Sequence, residues 1–246
     1  RTIPALVERL NAFKKHPNTP DFQVFFIDDA SLDKSTEVIL AEKKTFDHRL
    51  FKLIKNQGQH TATAFGIGLA DTPFIATIDD DLQHDPFELL HLMEEQEKTN
   101  ADLVYGNYFQ KEHSVIRNLG SFFIKRIFRL MGNDYNDVTS FRLMKSEVGS
   151  PFRNLQNKVV FLDFELQQNT RIKSSCRVQH SERAEGKSTY SMYKLISFAM
   201  SILLYHSGFP LRLISRLGLI IAFICFVMGI YFIYAKIVYN APIGFT

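Results

Sequence analysis

The stretch Phe74-Ile75-Ala76-Thr77-Ile78-Asp79-Asp80-Asp81-Leu82-Gln83 decides the fold class of this chain. Its largely apolar first half predicts a short buried strand, and three carboxylates follow at the C-terminal end of that strand. Adjacent negative charges repel one another and lose hydration when packed, so a cation is expected to offset them. A divalent ion with oxygen ligands fits this need. The alternative, a solvated acidic turn before a helix starting near Asp85, explains the helix start but not the three acids.

The segments around this stretch alternate between strand and helix patterns. Strands are predicted over 23–27, 50–54, 74–78, 103–105, 138–144 and 174–178, and helices over 3–13, 35–44, 60–70 and 85–99. This alternation predicts an α/β domain with a mostly parallel sheet and helices on both faces. Ligands of such sheets bind beyond the carboxyl ends of the strands, where the acidic clusters 28–29 and 79–81 both fall.

The composition excludes several classes of protein. The chain has 246 residues, 46% of them hydrophobic, which is enough for one globular core and a further apolar segment. A net charge of +3 without a basic block does not suggest a nucleic-acid-binding protein. Of the two cysteines, Cys225 lies in an apolar run, so a bridge to Cys176 is not expected and a reducing compartment fits.

The C-terminal part has the pattern of a membrane span. The run 217–235 has no charged residue and approaches the ~20 residues that cross a bilayer core. A buried core helix is the alternative, which is disfavoured because every face of the run is apolar. More basic residues precede the run than follow it, which places the N-terminal domain in the cytoplasm. Residues 190–214 form an amphipathic pattern that suits the membrane interface.

Two turns carry further candidate binding residues. Asp28 and Asp29 end a predicted strand, where a carboxylate can accept hydrogen bonds from a base or a ribose. Ser31 and Asp33 can shape the turn and cap the next helix. Gly58 allows close backbone approach to a ligand, although it fits a plain turn equally well.

Taken in this order, the motifs resemble the inverting, GT-A-type glycosyltransferases of family 2. The similarity is greatest to the polyprenyl-phosphate glycosyltransferases, which include dolichyl-phosphate mannose synthase. In the first motif Ala30 replaces the usual glycine. The likeness is carried by Asp28-Asp29-Ala30-Ser31-Leu32-Asp33, Asp79-Asp80-Asp81-Leu82-Gln83-His84, Phe141-Arg142-Leu143-Met144, Arg183-Ala184-Glu185-Gly186-Lys187-Ser188-Thr189-Tyr190 and Ser207-Gly208-Phe209-Pro210-Leu211-Arg212.

The resemblance implies a metal-dependent donor site. Mg²⁺ or Mn²⁺ is expected on Asp81 and Gln83, which face one side if the segment is extended, with Asp79 beside them on the donor or the metal. The donor is a nucleotide sugar, taken here as a UDP-sugar. Its binding residues are expected to be Asp28, Asp29, Ser31, Asp33, Gly58 and Asp80.

The implied acceptor is a polyprenyl phosphate such as undecaprenyl phosphate. A phosphate monoester is largely ionised near pH 7, so it needs positioning and neutralisation rather than a strong base. Arginines bind phosphate oxygens in pairs of hydrogen bonds, and Arg142 and Arg183 are predicted to do so. Asp163 and Glu165 are expected on a solvated helix face. The remaining acceptor candidates are Arg117, for which a solvated helix face is equally open, Lys187, Ser188 and Tyr190.

The predicted organisation has four parts. Residues 1–187 form a cytoplasmic GT-A catalytic domain, 188–214 interfacial helices, 215–238 a transmembrane helix and 239–246 the start of a loop. Compared with the family, the first strand and a second membrane helix are expected to be missing. The predicted location is the cell membrane, with the catalytic domain on its cytoplasmic face, and a homo-oligomer is compatible with this organisation.

Three rival functions remain at this point. A processive polysaccharide synthase is disfavoured because its Gln-x-x-Arg-Trp motif needs a tryptophan, and the chain has none. A family-2 transferase with another lipid-linked or saccharide acceptor differs only in the acceptor. A non-catalytic, membrane-anchored subunit of the same fold is disfavoured by the intact Asp79, Asp81 and Gln83.

Overall fold

The structure, a computed structural model, describes residues 2–107, 138–179 and 209–239. The chain divides into two compact units, Arg1–Ser191 and Met192–Thr246. The helices predicted within 108–136 and most of the interfacial segment 188–214 lie outside the described residues, as does 240–246. The predicted acceptor residues outside them are Arg117, Arg183, Lys187, Ser188 and Tyr190.

The first unit alternates strands and helices, as predicted. Its helices are α1 (Ile3–Lys14), α2 (Ser35–Ala41), α3 (Gln59–Leu69), α4 (Leu89–Thr99), α5 (Ser146–Gly149) and α6 (Leu162–Gln168), with 3₁₀ turns at Pro86–Glu88 and Ser150–Asn154. Its strands are β1 (Gln23–Asp28), β2 (Asp47–Lys52), β3 (Phe74–Thr77), β4 (Leu103–Asn107), β5 (Arg142–Lys145) and β6 (Lys173–Arg177). The α/β class is therefore confirmed.

The described strands form two sheets, and the prediction of a mostly parallel sheet is wrong for one of them. β1 and β2 pair in parallel, from Gln23 opposite Asp47 to Asp28 opposite Lys52. The other sheet has the order β3-β5-β4-β6, in which β5 runs antiparallel to both of its neighbours and β4 pairs in parallel with β6. β5 begins at the edge where β4 ends and runs antiparallel between β3 and β4.

Several clusters of buried apolar side chains hold the described part of the unit together. The apolar stripe predicted for the first helix is confirmed: it is buried in α1 at Ile3, Leu6, Val7, Leu10 and Phe13. A second cluster packs α6 against β3, β4 and β5, and its Leu162, Leu166 and Met144 are fully buried. Each such side chain contributes roughly 1.5–3 kcal/mol by leaving water. This cluster lies under the strands that end in the candidate site.

The described part of the second unit, 209–239, is a long helix, α7 (Phe209–Tyr239). Its stretch Ile214–Val238 is long and apolar enough to cross a membrane. The large side chains of this stretch, such as Ile221 and Phe223, are exposed, as a lipid-facing surface requires. The predicted apolar helix is therefore present at the expected position.

Candidate functional site

The loop after β1 is built around Asp28, which is only 6% exposed. Its carboxylate accepts hydrogen bonds from the Ser31 N–H (2.8 Å) and the Thr36 hydroxyl (2.5 Å), and Lys52 Nζ lies 3.6 Å away. Burial alone would raise the pKa of Asp28, but these hydrogen bonds, helped by Lys52, hold it at about 2. The charged form of Asp28 therefore stabilises the turn.

The neighbouring Asp29 joins this loop to the one that follows β2. Its two carboxylate oxygens each accept a backbone N–H at 2.7 Å, one from Gln57 and one from Gly58. The side chain of Asn56 also donates to the Asp29 carbonyl, at 3.2 Å. Gly58 has φ of 89°, a conformation that favours glycine, and an added Cβ would meet nothing within 4 Å. Asp29 thus ties the β1 loop to Gly58 at the start of α3.

The Ala30 and Asp33 positions complete this turn. Ala30 has φ of 58°, in the left-handed region, which explains why glycine is usual at this position of the motif. Asp33 is exposed, and its carboxylate accepts the Ser35 N–H at 2.9 Å. Hydrogen bonds from Ser35 lower the pKa of Asp33. Asp33 shapes the turn as predicted from the sequence.

The acidic loop after β3 holds Asp79 from two sides. The Ser140 hydroxyl donates to Asp79 Oδ2 at 2.6 Å, and the Gln59 side-chain amide donates to Asp79 Oδ1 at 3.0 Å. The Asp79 N–H donates to His84 Nδ1 at 3.3 Å. The His84 ring is buried and stacks on Phe141 with centroids 5.0 Å apart. The carboxylate of Asp79 is therefore fixed before any ligand binds.

The segment from Asp80 to Gln83 is a turn, so the prediction of an extended segment is wrong. Leu82 has φ of 64°, and Asp81 Oδ1 accepts the Gln83 N–H at 3.1 Å. This bond joins the Asp81 carboxylate to the backbone of Gln83 and closes the turn. More than a third of Asp80 is exposed, yet partial desolvation and then the charge of Asp79 raise its pKa.

Behind the acidic loop lies a buried ion pair between Arg142 and Asp163, which are 3% and 4% exposed. Tyr105 also donates its hydroxyl to Asp163, at 3.1 Å. Burial, and then the charge of Asp163, raise the pKa of Tyr105 above its usual range. The expectation of a solvated helix face for Asp163 is therefore wrong, because the apolar neighbours of Asp163 on α6 pack into the core. Glu165, on the same helix, is half-buried.

While its Nη1 pairs with Asp163, the Nε of Arg142 faces β3. Its Nε donates to the Thr77 hydroxyl at 3.0 Å and to the Ser140 carbonyl at 3.4 Å. The Thr77 hydroxyl in turn donates to the same carbonyl at 2.6 Å. Arg142 thus fixes the backbone at Ser140, and its guanidinium is enclosed by protein rather than exposed for a phosphate.

Several residues of this site were not singled out from the sequence. His60 is the clearest case, since its ring packs edge-on against Phe161 with centroids 5.3 Å apart. Burial lowers the pKa of His60, with the charges of Asp163, Arg142 and Asp79 acting on it in addition. The sequence signal that could have identified His60 as a site residue is its position two residues after Gly58, at the start of α3. Gln59 carried the same signal.

The oxygen donors of the acidic loop fit a divalent cation that arrives with its ligand. Among the described residues, no group of three or more His, Cys, Asp or Glu side chains is arranged to hold a metal. Mg²⁺ commonly uses only one or two carboxylates and completes its shell with substrate phosphates. Asp81 and Gln83, held together by their turn, match that donor set.

A search for known families gives a direct match. The family described as Glycosyl transferase family 2 matches residues 1–149. The chain belongs to glycosyl transferase family 2. This glycosyltransferase is 26% identical over 244 residues to undecaprenyl-phosphate 4-deoxy-4-formamido-L-arabinose transferase of Photorhabdus laumondii subsp. laumondii. The alignment covers 98% of this chain and 74% of that protein.

Solved structures share the fold of the glycosyltransferase at low sequence identity. Mannosyl-3-phosphoglycerate synthase from Rubrobacter xylanophilus matches with a TM-score of 0.54 and 11% identity, over 87% of this chain and 71% of that one. Glucosyl-3-phosphoglycerate synthase from Mycobacterium tuberculosis, in complex with Mn²⁺, UDP-glucose and glycerol 3-phosphate, matches with a TM-score of 0.52 and 12% identity, over 82% and 73%. The predicted GT-A fold is confirmed.

In this glycosyltransferase the start of α3 connects the two predicted acidic motifs, the β1 loop and the loop after β3. The β1 loop reaches Gly58 through Asp29, and the next residue, Gln59, reaches Asp79. Ser31 is the exposed corner of the β1 loop, and its N–H binds Asp28. Arg142 is also tied to this site, but from the core side.

Proposed function

We propose that the protein transfers a sugar from a UDP-sugar to a polyprenyl phosphate, undecaprenyl phosphate, at a membrane, with inversion at the sugar. The observation that carries the proposal is the acidic loop, in which Asp79 is clamped and Asp81 is paired with Gln83 beyond the end of β3. The related transferase named above supports undecaprenyl phosphate as the acceptor.

The donor side of the site uses the two loops. Asp81 and Gln83 would hold Mg²⁺ or Mn²⁺, and Asp79 would contact the donor or the ion. When bound, the cation supplies positive charge to the diphosphate leaving group. The mycobacterial synthase, solved with Mn²⁺ and UDP-glucose, supports this choice of ion and nucleotide. The loop residues assigned to the nucleotide sugar are Asp28, Asp29, Ser31, Asp33, Gly58 and Asp80.

Within this site the aspartates have different tasks. The Asp28 carboxylate accepts hydrogen bonds from Ser31 and Thr36, and the Asp29 carboxylate accepts the backbone N–H groups of Gln57 and Gly58 in the loop after β2. They therefore shape the surface that the nucleotide meets. Asp80 is the exposed acid of the β3 loop and would contact the donor directly.

On the acceptor side the role predicted for Arg142 changes. Because Arg142 is buried and paired with Asp163, we assign it to positioning Ser140 and Thr77 instead of to binding phosphate. Neutralisation of the lipid phosphate then falls to Arg117 and Arg183. Lys187, Ser188 and Tyr190, which follow Arg183 in the sequence, would contribute to the same acceptor site. An already ionised phosphate needs such charges more than it needs a base.

The membrane supplies the acceptor. α7 has the length and composition of a membrane span, and undecaprenyl phosphate is confined to a bilayer. We place the catalytic domain, 1–187, on the cytoplasmic face of the cell membrane, because basic residues precede the span. The segment 188–214 would lie at the interface, with 215–238 spanning and 239–246 following.

The test is a transfer assay with several donors. Membranes containing the protein are incubated with undecaprenyl phosphate, Mn²⁺ and a panel of nucleotide sugars, and the products are analysed by mass spectrometry. We expect one new glycolipid whose mass equals the acceptor plus one sugar, and none with Asp81→Asn membranes. If no glycolipid forms with any donor, and UDP with Mn²⁺ leaves the melting temperature unchanged, the proposed function is wrong. The rival of a non-catalytic anchored subunit would then account for the chain.

A further inference from the structure

The carboxylate of Asp79 is held by two residues to which no role has been assigned. Ser140 lies just before β5 and donates to Oδ2, while Gln59 is the first residue of α3 and donates to Oδ1. The two donors are 61 and 20 residues away from Asp79 along the chain. A single rotamer of Asp79 satisfies both, so the pair fixes the direction in which the remaining lone pairs point.

Ser140 is itself rigidly placed. Its carbonyl accepts hydrogen bonds from the Thr77 hydroxyl at 2.6 Å and from Arg142 Nε at 3.4 Å. Arg142 is locked by its buried ion pair with Asp163, which Tyr105 also contacts. The hydroxyl that reaches Asp79 is thus anchored to the core by a continuous chain of polar contacts, in which each buried charge has a partner.

Gln59 is placed by the other loop. It follows Gly58, whose N–H is bound to Asp29 at 2.7 Å, and Gly58 marks the start of α3. A shift of the β1 loop would therefore move Gln59 and loosen its contact with Asp79. The Gln59 side chain is exposed, so its hydrogen bond competes with water and is expected to be the weaker of the two.

We propose that Ser140 and Gln59 are positioning residues that fix Asp79 in the orientation in which it meets the nucleotide sugar and its cation. The inference rests on the proposed function. A carboxylate held by two hydrogen bonds does not lose rotamer freedom when the donor binds, so binding is tighter and the reacting groups are better aligned. Residues that orient metal-site ligands in this way typically contribute about 10–100-fold to metal affinity or activity.

The decisive experiment measures binding of UDP with Mn²⁺ to the full chain in lipid nanodiscs by isothermal titration calorimetry. Ser140→Ala is expected to weaken this binding on the order of tenfold. Ser140→Thr keeps the hydroxyl and is expected to restore most of the affinity. The matched control is Ser174→Ala, which removes a hydroxyl that donates to Glu95 at 2.5 Å, and it should bind like the unmodified protein.

Gln59 is tested by charge as well as by truncation. Gln59→Ala is expected to weaken binding about threefold, because its hydrogen bond is exposed. Gln59→Glu should weaken it more, since a second carboxylate would then lie about 3 Å from Asp79. The loss of binding caused by Gln59→Ala should differ between the unmodified protein and the Ser140→Ala variant, because both residues act on one carboxylate.

The outcomes separate this inference from the proposed function. If the unmodified protein does not bind UDP with Mn²⁺, the proposed function fails. If it binds, and both Ser140→Ala and Gln59→Glu bind equally well, the positioning role is refuted. Should Ser140→Ala melt before it can be measured, Gln59→Glu decides the question alone, because its exposed side chain does not hold the core together.

Discussion

The loops after β1 and β3 both carry adjacent aspartates, but they use these acids in opposite ways. In the β1 loop, Asp28 is buried and accepts hydrogen bonds from Ser31 and Thr36, while both carboxylate oxygens of Asp29 accept backbone N–H groups of the loop after β2. In the β3 loop, Asp79 is tied to two side chains from elsewhere, while Asp80 is exposed and Asp81 is half-buried. Similar acidic motifs can therefore build a loop in one place and present oxygens to a ligand in another.

This contrast predicts where substitutions act. A change in the β1 loop should appear first as a loss of stability, since the carboxylates there complete the turn. A change at Asp81 should appear first in turnover, because an amide in its place can still accept the Gln83 N–H and keep the turn.

The strongest effect is expected for Asp81→Asn. The substitution keeps the shape but removes the charge that would bind the cation, so turnover should fall on the order of 1,000-fold. The melting temperature should stay within about 2 °C, because Asn can still accept the Gln83 N–H. Glycolipid formation and thermal unfolding are measured on the same nanodisc sample. Near-normal turnover would show that Asp81 does not hold the cation.

The next effect concerns the core behind the β3 loop. Asp163→Ala leaves Arg142 buried without a counter-charge, which should destabilise the domain by about 3 kcal/mol. For a domain of this size that corresponds to a fall in melting temperature of about 6–12 °C. Asp21→Ala is the control, since Asp21 is 94% exposed and pairs with Lys14 at the surface. Equal melting temperatures for the two variants would contradict a stabilising role of the buried pair.

Much of this arrangement could be predicted from the sequence, but only where the signal is local. The stripe of α1, the strand β3 and the acidic run are local features, and each lies where the sequence predicts it. The predicted burial of β3 is wrong, because β3 lies at the edge of its described sheet: Ile75 is buried, but Phe74 is 44% exposed. The turn at Leu82 was missed because an extended segment and a hydrogen-bonded turn share the same residues. The turn is recognised from the backbone conformation of Leu82, whose φ is 64°.

What could not be predicted depends on the direction of β5. Its insertion between β3 and β4 brings Ser140 to Asp79, which is 61 residues away in sequence, and Arg142 to Thr77. No periodicity encodes such a contact, because it depends on how the chain returns after β4. The sequence did contain a partial indication that Asp163 is buried. The neighbouring Leu162, Phe164 and Leu166 are apolar, whereas a solvated helix face is polar.

A smaller effect is expected for the β1 loop, with a dependence on pH. The pKa of Asp28 lies at about 2 in the folded protein, below its usual 3.8, so the charged form stabilises the fold by about 2 kcal/mol at neutral pH. Because the folded pKa is lowered, this stabilisation is present above about pH 4 and is lost as the pH falls toward 2.

Asp28→Asn removes this contribution. Its melting temperature should lie about 4–8 °C below that of the unmodified protein at pH 7, and the gap should close below pH 4. Asp33→Asn is the control, because Asp33 is exposed and its variant should shift little at either pH. A gap that is constant from pH 7 to pH 3 would mean that the charge of Asp28 does not support the loop.

The smallest effect concerns the backbone of the same loop and has the opposite sign. Ala30 has φ of 58°, a conformation that costs an L-residue roughly 1–2 kcal/mol and glycine almost nothing. Glycine loses about 0.5–1 kcal/mol more in backbone entropy on folding, so Ala30→Gly should stabilise the domain by about 0.5–1 kcal/mol. Thermal unfolding should show a rise of about 1–4 °C. The matched control is Ala41→Gly at the end of α2, where the backbone is helical and glycine should destabilise. A fall in melting temperature for both variants would mean that this turn relaxes around Ala30 without strain, and that the β1 loop does not require a glycine there.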